Sequence, residues 1–79
     1  MFRVKKLWFA DGRMYIENGK KEQLSVAVSR FPRLLHANNE QRMAWKQFHD
    51  GLRWEEIDED IHLNSFLYAE NDKNIVHWI

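Results

Sequence analysis

Two turn signals, Asp11-Gly12 and Asn18-Gly19, lie seven residues apart near the start of the chain. Each joins a residue that tolerates positive φ to a glycine that adopts it freely, the pairing favoured in type I′ hairpin turns. Between them, Met14 and Ile16 fall on one face of an extended segment, with Tyr15 and Glu17 on the other. Val4 to Phe9 before the first turn favour a strand. After the second, Leu24, Val26 and Val28 alternate with Ser25 and Ala27, the period of a half-buried strand. Three antiparallel strands in a meander are therefore expected.

The period changes at Ser29. In "SRFPRLLHA", Ser29 is placed to cap a helix and Pro32 falls in its first turn, where a missing N–H costs nothing. A second start follows at Asn38, with Gln41 three residues on to complete a capping box. Ala44, Trp45 and Phe48 then recur at helical spacing until Asp50-Gly51. These features predict helices over about 30–37 and 39–49, packed on one face of the sheet. "LRWEEI" reads as a fourth strand with Trp54 inward, and Asn64 or Ser65 as the cap of a short C-terminal helical turn reaching Tyr68. The expected class is α+β, with an antiparallel sheet of three to four strands in one domain over residues 1–79.

At 79 residues and without cysteine, the fold depends on apolar packing alone, unassisted by disulfides or thiolate-bound zinc. Four Trp and five Phe supply that core generously. No segment approaches the roughly 20 apolar residues of a membrane span, and the short run Leu7 to Ala10 does not make a signal peptide. A soluble, cytoplasmic protein without a membrane role is expected. Net charge is zero but unevenly placed. Residues 1–33 carry eight Lys/Arg against three acids, a surplus of five positive charges; residues 34–79 carry four against nine, a surplus of five negative ones.

Two motifs occur in order, "FPRLLHANNEQRMAWKQF" and "LRWEEIDEDIHLNSFL". Together they resemble the bacterial family known as domain of unknown function 2442. The resemblance runs through Phe31, Pro32, Arg33, Leu34, Leu35, Ala37, Gln41, Arg42, Trp45, Trp54, Asp58, Glu59, Asp60 and Ile61, and covers about residues 7–67. Asn38 stands where the pattern has Thr, Ile57 where it has Leu, and Ala27 where many members have Pro. The tail, residues 69–79, lies outside the pattern. The resemblance implies a small α+β fold with helices on a sheet. It also implies a context, since small members of the family resemble proteins of toxin–antitoxin gene pairs, but it implies no activity.

The acids Asp58, Glu59 and Asp60 lack the alternation, glycine and distal glutamate of a calcium loop. On an extended segment Asp58 and Asp60 share a face that Glu59 opposes. They are expected to fix a turn and to clamp Arg33 or Arg42, the usual role of an arginine among apolar neighbours. His36, His49, His62 and His77 show no ligand spacing, and the three glycines form no phosphate-cradling loop. No catalytic residue, metal or cofactor is assigned. Phe31, Trp45, Phe48, Trp54, Ile57 and Ile61 are read as core.

Two surfaces remain for function. Glu55, Glu56 and Glu59, with Trp78 in the apolar tail, form an expected surface for a protein partner, and the tail itself is an expected homodimer contact. Lys5, Lys6, Arg13, Lys20 and Lys21, beside Trp8 and Tyr15, form the alternative, a nucleic-acid surface. The favoured reading is a protein-interaction or regulatory module, the antitoxin-like member of a gene pair.

Overall fold

The computed structural model describes residues 2–68. The chain forms β1 (Val4–Ala10), β2 (Arg13–Asn18) and β3 (Gln23–Ala27), then a 3₁₀ turn (Val28–Arg30) and two single-turn helices, α1 (Pro32–Leu35) and α2 (Asn39–Arg42). It continues through β4 (Trp45–Phe48), β5 (Gly51–Trp54) and β6 (Glu59–His62) to a 3₁₀ turn (Leu63–Ser65) and β7 (Leu67–Tyr68). Two antiparallel sheets result, one in the order β1-β2-β3-β7 and one in the order β4-β5-β6. The class is α+β, as the sequence implies. The strand containing Trp54, however, belongs to a second sheet and does not extend the first.

The first hairpin follows its turn chemistry. Ala10 pairs with Arg13 across Asp11 (φ 52°) and Gly12 (φ 75°), the two positive values that a type I′ turn requires. The second hairpin differs from expectation. Its positive φ falls at Lys21 (66°), not Gly19, because Asn18 organises a longer loop. The Asn18 carbonyl accepts from the Lys21 amide at 3.1 Å, while Asn18 Oδ1 accepts from the amides of Lys20 (3.0 Å) and Glu22 (2.9 Å). A type I turn closed by one left-handed residue is the next commonest hairpin connection.

The helical forecasts need correction. Where a helix over residues 30–37 is expected, the chain ends the Val28–Arg30 3₁₀ turn and starts α1 after a break at Phe31, which is not helical (φ −127°, ψ 84°). Pro32 imposes this: its ring excludes the preceding residue from helical geometry, so Phe31, and not Ser29, stands at the N-cap. Over residues 39–49 the capping box forms, with Gln41 N donating to Asn38 Oδ1 at 2.7 Å and Asn38 N to Gln41 Oε1 at 2.9 Å. The helix nevertheless ends at Arg42, and Trp45–Phe48 is a strand. Trp45 and Gln47 face inward and Lys46 and Phe48 outward, so Phe48 is 49% exposed and no part of the core. The C-terminal helical turn also falls earlier than expected. It spans Leu63–Ser65, with His62 as its cap, and Leu67–Tyr68 pairs with Leu24 and Ser25.

One core joins the two sheets. Leu7, Met14, Ile16, Leu24 and Val26 from the first sheet meet Leu52, Trp54 and Ile61 from the second, with Leu34 of α1 and Phe66 completing the cluster. Phe31, Trp45 and Ile57 pack against it, half-buried. Burying a side chain of this size contributes about 1.5–3 kcal/mol. Gln47 adds a polar fastener between the sheets. Its carboxamide accepts from Val4 N at 2.8 Å and donates to Phe2 O at 2.7 Å, pairing with β1 as a neighbouring strand's peptide would.

Candidate functional site

The acidic triplet lies on the β5–β6 hairpin. Trp54 pairs with Glu59, and the connection closes with Asp58 N donating to Glu55 O at 3.2 Å. Asp58 takes positive φ (52°), which aspartate tolerates better than most residues. From there the strands run in register, with Arg53 directly opposite Asp60.

Arg53 organises the acids. Its Nη1 donates to Asp60 Oδ2 at 2.8 Å, its Nη2 to Asp58 Oδ1 at 3.0 Å and its Nε to Glu55 Oε1 at 3.2 Å. The guanidinium is raised well above its ordinary range, first by the Asp60 bond and then by that to Asp58. The Arg53 side chain is 25% exposed, whereas those of Asp58, Asp60 and Glu55 are 77%, 72% and 64% exposed. The carboxylates are thus oriented by Arg53 yet open to solvent.

The expected arginine clamps are only partly as foreseen. Arg33 reaches Asp58, but its short bond, 2.6 Å, is to the backbone carbonyl, with the carboxylate at 3.8 Å. Arg42 touches neither Asp58 nor Asp60. It donates to Leu34 O (3.1 Å) and Leu35 O (2.9 Å), carbonyls in the last turn of α1, and lies 4.5 Å over the Phe9 ring. Its own carbonyl accepts from Trp54 Nε1 at 2.9 Å. Arg42 therefore joins α1, α2, β1 and β5.

Of the expected partner surface, Glu55 and Glu56 are exposed, Glu56 held by Gln41 Nε2 at 2.8 Å. Glu59 is half-buried on the face of Trp45 and Trp54, opposite to Asp60. Trp78 and the apolar tail lie outside the described residues, so the homodimer contact does too. On the basic surface, Lys5, Lys6, Lys20 and Lys21 are exposed. Arg13 is half-buried and donates through Nε and Nη2 to Ser25 Oγ at 3.2 and 3.1 Å, bracing β2 to β3. Trp8 and Tyr15 stack on one another, 5.4 Å between centroids and 7° between planes. Each ring thus already covers one face of the other.

Arg53 and Gln47 are not among the residues the sequence points to, though Arg53 carries a signal. Residues 53 and 60 flank the 55–58 connection symmetrically, so hairpin pairing places them face to face. No group of three His, Asp or Glu among the described residues is arranged to hold a metal ion.

The family profile described as protein of unknown function (DUF2442) matches residues 4–72. The chain belongs to this family. No curated protein and no solved structure gives a significant match. The family's span takes in both sheets of this DUF2442 domain, including the Arg53 cluster and the tie through Gln47. No helix among the described residues is long and apolar enough to cross a membrane.

Proposed function

We propose that this DUF2442 domain is a protein-interaction module. It regulates a partner by contact and without catalysis, as the antitoxin-like member of a bacterial gene pair would, in the cytoplasm. The observation that carries this reading is the state of the acids on the β5–β6 hairpin: ordered by Arg53 and exposed at once. A charged surface whose side chains are already fixed loses less conformational entropy on binding than a mobile one, and it steers a partner of opposite charge. Among the described residues, the lysine side chains of the alternative, nucleic-acid reading have no such internal support.

Recovery of the tagged protein from its native cells, with quantification of what accompanies it, tests the reading. A protein partner is expected at stoichiometric yield, lost when Glu55, Glu56 and Asp60 are replaced together by Lys. Recovery of nucleic acid instead, released by salt and by replacement of Lys5, Lys6, Lys20 and Lys21, would establish the alternative.

A further inference from the structure

We propose that the outer face of the β4–β5–β6 sheet carries a slot for a guanidinium group, fitted to an arginine side chain on a protein partner. Cross-strand register places Phe48, Gly51 and His62 in one row across the sheet. Phe48 and His62 are exposed on the side opposite to buried Leu52 and Ile61, so the two rings rise on either side of a glycine floor. A cavity of about 330 Å³ lies there, lined also by Asp50, Arg53 and Asp60. Adjacent strands are about 4.8 Å apart, which sets the two flanking residues roughly 10 Å apart and leaves width for one planar group between their rings.

The glycine is not required by the backbone. Gly51 has no positive φ, and a Cβ there would meet the Ile61 carbonyl at 3.4 Å, an ordinary contact. What glycine provides is the open floor. The His62 wall is fixed at both nitrogens: Nδ1 accepts from Asn64 N at 3.2 Å, so the ring hydrogen sits on Nε2, which lies 3.0 Å from Asp50 Oδ2. The charge around the slot is complementary to a cation. Of the charged side chains lining the slot, two are carboxylates, Asp50 and Asp60, and one is a guanidinium, Arg53, which also binds Glu55 and Asp58 outside it. A planar cation between an aromatic face and carboxylates combines cation–π attraction with charged hydrogen bonds, and guanidinium suits both better than ammonium does.

The choice of a protein partner rests on the interaction reading above. The test uses the full chain, isotope-labelled, titrated with acetyl-Gly-Arg-Gly-amide and followed by amide resonances. Saturable shifts are expected at Gly51 and its row. They should weaken about tenfold with the lysine peptide and vanish with the citrulline peptide, which keeps the shape without the charge. Gly51→Val, which suits a strand but fills the floor, and Phe48→Ala are each expected to abolish them while the spectrum stays dispersed. Equal response to arginine and lysine, unchanged binding in both variants, or no shift at the solubility limit of the peptide would overturn the slot. Failure here with partner recovery intact removes the slot alone; loss of partner recovery with peptide binding intact removes the interaction reading alone.

Discussion

The two sheets carry opposite charge and treat it differently. On the first, Lys5, Lys6, Lys20 and Lys21 are exposed, and no hydrogen bond or ion pair within the described residues holds their side chains. On the second, Arg53 gathers Glu55, Asp58 and Asp60, Gln41 holds Glu56, and Arg33 fastens the turn through the Asp58 carbonyl. Exposed ion pairs add little to stability, so this order is not explained by the needs of folding. Its consequence is a surface presented in one arrangement. Loose charge keeps a domain soluble; fixed charge is what a partner can recognise.

The largest effect is expected where the second sheet meets the core. Trp54 is 1% exposed and anchored through Nε1 to the Arg42 carbonyl. Trp54→Ala should cost about 3–5 kcal/mol, enough to abolish the cooperative transition of so small a domain in a denaturant titration. The tie between the sheets ranks next. Gln47→Leu leaves Val4 N and Phe2 O without their partner. A loss of about 1–3 kcal/mol is expected, with faster hydrogen exchange at the Val4 amide; unchanged exchange would show that the sheets do not depend on this fastener. In the first hairpin, Gly12→Ala meets no atom within 4 Å but must hold φ 75°. A cost of about 1–2 kcal/mol in thermal unfolding is expected from the backbone alone. Smallest is the joint replacement of Lys5, Lys6, Lys20 and Lys21 by Ala, expected to leave stability within about 0.5 kcal/mol per site. A large change there would erase the contrast between loose and fixed charge.

The difference between the sheets extends to how well each could be read in advance. In the first, alternation and turn chemistry agree: Met14 and Ile16 are fully buried, and Asp11-Gly12 turns as its composition requires. In the second they conflict. Ala44, Trp45 and Phe48 fit a helical period, and the inward residue that would have revealed the strand is the polar Gln47. Its inward position makes sense only once β1 lies beside it to receive the carboxamide. The acidic site was half-legible for the same reason. The triplet itself stands out, and its spacing calls for an arginine partner, but the arginine that binds three acids is Arg53, chosen by strand register and not by the helices. The capping box at Asn38 was readable because it is wholly local.

The central claim is that the ordered acids of the β5–β6 hairpin, and not the lysines of the first sheet, face the partner. The most direct measurement compares partner recovery from native cells for three forms of the full chain: the natural sequence, Glu55/Glu56/Asp60→Lys, and Lys5/Lys6/Lys20/Lys21→Ala, each shown to be folded by circular dichroism. The account predicts equal recovery for the first and third and loss for the second. Retention by the acid-reversed form with loss in the lysine-free form would contradict it.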